Sequence, residues 1–415
     1  MMDILKTILD PENASVRTQL AEFSVSDGSI VVLLGPLSFW LQLLMMLSMQ
    51  ASVSAFFAVV VYELIVKQRG STSSYMVGFG FVIPAAIVIP FYFIKYFGVM
   101  NISTMVGAAA ITVVVPFNCI EAMFDTSLTG IESSLQRYIG YYCSILPFER
   151  NPKTAEPIRI TTDELIDKVL ELLYHMVAIS MYFMVMVHFD HVFVPSPRES
   201  DAFLPSSIWG LFHWGHLLNN FVLSCVTSQC IDTGTRGIGV IISILSGCKM
   251  INVQNRPMFG SQSPSDFWGR RWNLMMHGSF KRGIFKPLVK HKVPRALAML
   301  ATFVVSGILH EHALTLYQMK YLLYPEIASP YVPHYGRQLA FFLWNGFVVL
   351  LEHALSPLPL FQRMKAKLPK PIITALVLLT VVPISHWFTD EYIRSGFYSD
   401  CSMGFPLIIY LKNVR

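Results

Sequence analysis

From Gly28 to Tyr62 the chain carries no charged residue. About 20 consecutive apolar residues cross the hydrocarbon of a bilayer, and this run is too long for one untilted helix. It reads as two spans, about 29–47 and 50–66, with a tight turn near Gln50. The second ends at Lys67-Gln68-Arg69-Gly70, cations that favour the cytosol under the positive-inside rule. Further apolar runs predict spans at about 75–97, softened by Pro84 and Pro90, and at 102–120, 168–188, 206–228, 296–317, 337–356 and 371–388, with a possible short one at 402–411. Residues 237–250 are apolar but short, as suits a re-entrant or interfacial segment. An interfacial helix is expected at about 131–146, within the polar connection 121–166.

Composition agrees. Charged residues make up 14% of the chain, against about 25% in soluble domains, and the mean hydropathy is +0.51. The runs lack the period-two alternation of membrane β-strands. The expected fold is therefore all-α and polytopic, with eight to ten transmembrane helices over residues 29–415. Residues 1–28 form a mixed-charge N-terminal polar segment without the apolar region of a cleavable signal peptide. The six cysteines show no CxxC spacing, and most lie in or beside apolar runs, where Cys acts as a small hydrophobe, so neither a disulfide framework nor a zinc site is expected. Two Asn-x-Ser tripeptides, at Asn13 and Asn101, are short enough to arise by chance and carry no weight. The excess of basic residues is ordinary for a membrane protein, and no nucleic-acid partner is implied.

The chemistry concentrates in residues 263–314. Ser263 suits an N-cap, Pro264 the first helical position, and Asp266 can reach back as in a capping box. On the helix so predicted, Trp268 lies one turn before Trp272, and Asn273 shares a face with His277. Between Phe267 and His310 there are eight basic residues (Arg270, Arg271, Lys281, Arg282, Lys286, Lys290, Lys292 and Arg295) and no acid. Such a segment belongs on the cytosolic side by topology alone. Some of its cations can also meet the phosphates of a soluble anionic cosubstrate, Arg270, Arg271, Lys281 and Lys286 being the candidates.

Residues 296–309 are then uncharged, and His310-Glu311-His312 follows where a membrane helix normally forbids ionisable groups. An intramembrane ionisable pair is a functional site by default. His310 suits a general base, because imidazole titrates nearest neutral pH. Metal binding is the weaker reading, since residues two apart on a helix point to opposite sides and Leu314 stands where a zincin has its second histidine. A structural histidine inside a helix bundle stays open, as does a transporter's proton relay through His310 and Glu311, although the inverted repeats a transporter would favour are not visible. His213, His216, Asn219 and Asn220 form a second polar cluster, read mainly as helix-to-helix glue. Glu352-His353-Ala354-Leu355 echoes Glu311-His312-Ala313-Leu314, too briefly to imply duplication.

The succession Phe267-Trp268, Trp272-Asn273, His277, then Ser306 and His310-Glu311 across a basic stretch resembles the membrane-bound O-acyltransferase superfamily. The form Asp266-Phe267-Trp268-Gly269-Arg270-Arg271-Trp272 most resembles its wax synthase branch, the long-chain-alcohol O-fatty-acyltransferases. The resemblance implies an intramembrane catalytic chamber in which His310 is the catalytic histidine and Asn273 the second signature residue. His277, Glu311 and Trp272 would support them, Glu311 in a mainly structural role and Trp268 and Trp272 in packing. It further implies acyl transfer from acyl-CoA, a cosubstrate, to a lipophilic alcohol at the endoplasmic reticulum membrane, with no bound cofactor or metal. A sterol, diacylglycerol or specialised metabolite is the alternative acceptor.

Overall fold

The computed structural model describes residues 17–25, 28–151, 154–188, 208–325 and 331–412. The chain enters as two antiparallel strands, β1 (Thr18–Val25) and β2 (Gly28–Leu34), and β2 pairs on its other edge with the last element, β3 (Leu407–Lys412). The fold is mostly helical, as expected, with one addition: a three-stranded antiparallel sheet joins the two ends of the described chain. Residues 28–34 read as membrane helix because Ile, Val and Leu suit both states. Their β-branching and a distant partner strand favour the extended one. The same pairing takes 407–411 out of the predicted last span.

The helices follow. α1 is Leu37–Val66, α2 Thr72–Phe97 and α3 Ile102–Phe124, each long and apolar enough to cross a membrane. With β2 using the first residues of the uncharged run, the remainder makes one span in place of two. Gln50 sits buried in mid-helix, donating to Ser54 Oγ at 3.0 Å. α3 is the most enclosed span, and its Glu121 is wholly buried. α4 (Leu135–Cys143) supplies Tyr141, whose hydroxyl donates to Glu121 at 2.8 Å. α5 (Thr162–His188) and α6 (Trp214–Ser246) are long partners. The short segment predicted at 237–250 is the end of α6, which runs unbroken to a left-handed Gly247.

After the 263–273 region come α7 (Leu274–Phe280), α8 (Lys286–Lys290) and two further spans, α9 (Arg295–Leu323) and α10 (Arg337–Leu355). α11 (Pro359–Lys367) is short and basic. α12 (Lys370–Leu379) continues through a 3-10 turn to Ile384, and α13 (His386–Arg394) then departs at 53°. Pro383 explains the bend, because it removes a backbone donor. Among the described residues this gives five helices long and apolar enough to cross, or six with the bent pair counted, against the eight to ten expected.

α9 packs closely against α10. A Cβ on Gly307 would lie 2.7 Å from Leu339 Cα and 2.8 Å from its Cδ1, so only glycine admits this approach. Gly307→Ala is expected to lower the thermal unfolding midpoint in detergent, on the scale of the ~1–3 kcal/mol typical of overpacking. An unchanged midpoint would mean that the two helices are free to move apart.

Candidate active site

The first wall of the site starts at Ser263, whose hydroxyl caps the helix by accepting from Asp266 N at 3.1 Å. Asp266 reaches back one residue further than a capping box requires, accepting from Gln262 N at 3.0 Å, and it also accepts from Arg271 Nε at 2.7 Å. Burial pushes the Asp266 carboxyl up, but Arg271 and the Gln262 N–H outweigh it and hold it below the usual carboxylate range.

The single helix expected through His277 does not form. Phe267–Arg271 widens into a π-turn, the backbone breaks at Asn273, and α7 starts afresh. Asn273 is therefore the N-cap of α7, its Oδ1 accepting from Met276 N at 3.1 Å. The His277 backbone N–H donates to Asn273 O at 2.9 Å, one helical turn on, so the two residues keep the expected common face. The break turns Trp272, Asn273 and His277 toward one space.

The opposite wall is one face of α9: Met299, Phe303, Ser306 and His310, at helical spacing. Between the walls lies a cavity of about 330 Å³, within the usual range of small-molecule sites. Trp268, Trp272, Asn273, His277, Lys281, Ser306 and His310 all line it, with Phe342 and His353 from α10. Trp268 is a packing hub, edge-on to Trp272, Phe303, Phe341 and Phe342, and its Nε1 donates to Asn345 at 3.3 Å.

His310 stacks on Phe342 with ring centres 4.7 Å apart and meets Phe388 edge-on at 5.1 Å. Its Nδ1 lies 3.0 Å from the Tyr392 hydroxyl. His312 turns elsewhere, edge-on to Phe91 at 5.4 Å, so the two imidazoles do not converge on one point. Glu311 holds α10: its Oε1 accepts from Gly336 N at 2.9 Å and Leu339 N at 3.0 Å. The echo motif repeats this use, since Glu352 accepts from the backbone and hydroxyl of Ser265 at 2.7 and 2.8 Å. Both acids satisfy donors at the start of a helix, where a negative charge is favoured.

Of the candidate cations, Lys281 alone reaches the cavity lining. Arg271 is engaged by Asp266 and by Asn255 O, while Arg270 and Lys286 are exposed. Arg282, between Lys281 and Lys286, pairs with Glu121 at 2.9 Å. Burial pulls its guanidinium down, but Tyr141 and Glu121 raise it overall. Desolvation, then Lys281 and Arg282, hold the His277 imidazole below its usual range.

The cluster at His216 and Asn220 ties α6 to the bend after α12. His216 Nε2 lies 2.9 Å from Pro383 O, and Asn220 donates to Val382 O at 2.9 Å. A void of about 20 Å³ shares Trp268, Trp272 and Phe342 with the main cavity. It shares Met258, Leu378 and Val382 with an open apolar groove of about 520 Å³ between α6 and α12. Phe342, Phe388 and Tyr392 carry no sequence signal because they lie far beyond residue 314, the two phenylalanines in ordinary apolar runs and Tyr392 in the charged stretch after the run 371–388.

Residues 254–331 match the model of the membrane bound O-acyl transferase family. The chain is 32% identical over 152 residues to a probable long-chain-alcohol O-fatty-acyltransferase 2 of Arabidopsis thaliana, covering 34% of this chain and 40% of that protein. It is 33% identical over 147 residues to an acyl-CoA–sterol O-acyltransferase 1 of the same plant, covering 34% and 38%. A probable long-chain-alcohol O-fatty-acyltransferase 3 aligns at 28% over 166 residues, covering 38% and 44%. The chain thus matches less than half the length of these curated relatives. Over its residues 254–331, which hold both walls of the cavity from Ser265 to His310, the chain is similar to the membrane bound O-acyl transferase family.

Proposed function

We propose that the protein transfers an acyl group from acyl-CoA to the hydroxyl of a lipophilic alcohol, giving an ester and free CoA, with a long-chain alcohol as acceptor and the endoplasmic reticulum membrane as its place. The observation that carries this reading is that His310, on an apolar membrane-length helix, shares one cavity with Asn273 and Lys281. His310 Nε2 takes the hydroxyl proton as the alcohol oxygen attacks the thioester carbonyl. The Asn273 amide, whose Oδ1 already caps α7, donates from Nδ2 to the oxyanion that develops. The C–S bond then breaks, and the imidazolium returns its proton to the leaving CoA thiolate. Aromatic walls keep water from the thioester.

From Arg295 to His310 the helix rises about 22 Å, so the base sits at depth while the basic segment stays at the surface. The long, thin pantetheine arm can bridge that distance. The groove between α6 and α12, parted from the cavity by a small void that shares lining residues with both, supports a lipid-side route for the alcohol. A sterol is the second acceptor, favoured by the sterol acyltransferase among the relatives. CoA release and lipid analysis in membranes offered acyl-CoA with fatty alcohols, sterols or diacylglycerol test the proposal. Wax ester formation supports it. Esters of sterol or diacylglycerol alone would reassign the acceptor, and no alcohol-dependent CoA release would reject acyl transfer.

Charge removal separates the cations. Lys281→Ala is expected to raise the KM for acyl-CoA about fivefold, the ~1 kcal/mol scale of an exposed charge contact, with the KM for alcohol unchanged. Arg270→Ala and Lys286→Ala should do less, because their side chains do not line the cavity. Equal effects on both substrates would show that these cations serve topology only.

A further inference from the structure

The sequence offers Glu311 as the natural partner of His310, but its Oε1 is committed to the backbone of α10. The partner that His310 Nδ1 meets is the Tyr392 hydroxyl at 3.0 Å, on α13 and outside the region that the family model matches. Tyr392 is 6% exposed and set among Phe388, Phe397 and Tyr317, with ring centres 4.9, 5.1 and 6.2 Å away. Its position is fixed by its neighbour. Glu391 is wholly buried and accepts from Tyr331 Oη at 2.8 Å, from Arg394 at 3.0 Å and from His334 N at 3.3 Å. Glu391 thereby ties α13 to the segment just before α10, and Glu311 ties α9 to the start of α10. Two consecutive pairs, His310-Glu311 and Glu391-Tyr392, thus hold the imidazole and the phenol in register.

We propose that Tyr392 is a positioning residue whose hydroxyl oxygen accepts the Nδ1 proton of His310, selecting the tautomer that presents an unprotonated Nε2 to the cavity. This rests on His310 being the base of the proposed reaction. A neutral imidazole carries one proton on either nitrogen, and the hydrogen bond made by one decides what the other can do. A phenol oxygen has lone pairs to accept with and rotates freely about its C–O bond. It can accept from Nδ1–H in the resting ring and keep accepting when Nε2 takes the alcohol proton and the ring becomes imidazolium. A carboxylate in the same place would orient the ring more strongly, but as a buried charge it is far costlier. With Phe342 on one face of the ring and Phe388 at its edge, the Tyr392 oxygen sets the remaining freedom of the imidazole.

The experiment compares Tyr392→Phe, His310→Ala and the double variant, using the full chain in membranes. Phenylalanine keeps the ring contacts with Phe388 and Phe397, and Tyr317→Phe removes a hydroxyl from the same cluster without touching His310. Tyr392→Phe should lower kcat about 10- to 100-fold, the range typical of losing the group that orients a functional imidazole. The KM for each substrate should stay within about twofold, a split that general loosening of the fold would not give. Tyr317→Phe should keep the wild-type kcat, and the double variant should be no slower than His310→Ala alone. A Tyr392→Phe enzyme with unchanged or raised kcat, or with a loss confined to KM, overturns the assignment. His310→Ala retaining activity would instead remove the reading on which it rests.

Discussion

His310→Ala is expected to abolish ester formation while the protein still inserts and accumulates. General base catalysis alone supplies about 10²–10⁴-fold, and the cavity offers no second imidazole that can take over. His277 and His353 also line it, but they belong to α7 and to the far end of α10. His353 Nδ1 is turned back on Val349 O at 2.8 Å. Alanine also leaves a gap against Phe342 and Phe388. His310→Gln, which keeps more of the volume, controls for that and should be equally inactive. Ester mass measured against protein abundance in the same membranes decides the matter. Near-wild-type turnover in either variant would remove His310 from the mechanism.

What the sequence makes legible is the content of the site more than its shape. The uncharged runs announce a helical membrane protein because bilayer thickness leaves few other uses for them. The Trp-Asn…His spacing and the intramembrane His-Glu pair point at the two walls that the fold brings together around one cavity. Three things stayed hidden, each for a physical reason. Strand β2 pairs with β3 across nearly the whole chain, and no local pattern encodes so distant a partner. The π-turn at Phe267–Arg271 and the break at Asn273 go against the local helix signals, so the local reading favoured one continuous helix. Tyr392 carries no signature because it stands beyond the run 371–388, between Glu391 and Arg394, where a tyrosine reads as part of a polar connection. Only its distance from His310 distinguishes it.

The break at Asn273 makes the second large effect separable into its causes. Asn273 does one thing that the structure shows, capping α7 through Oδ1, and one that is proposed, donating from Nδ2 to the oxyanion. Asn273→Ala loses both, so its activity is expected to fall about 10²–10³-fold, the loss of one oxyanion donor. It should also lose about 1 kcal/mol of stability with the cap. Asn273→Asp keeps an oxygen for Met276 N, since aspartate caps as well as asparagine, but it has no N–H to offer and places a negative charge where one must develop. Asp should therefore restore the unfolding midpoint in detergent without restoring kcat. If the aspartate variant recovers activity together with stability, Asn273 acts only by holding the chain break that turns Trp272 and His277 into the cavity. The oxyanion donor must then be sought elsewhere along the walls, with the buried Ser306 hydroxyl, one turn before His310, as the next candidate.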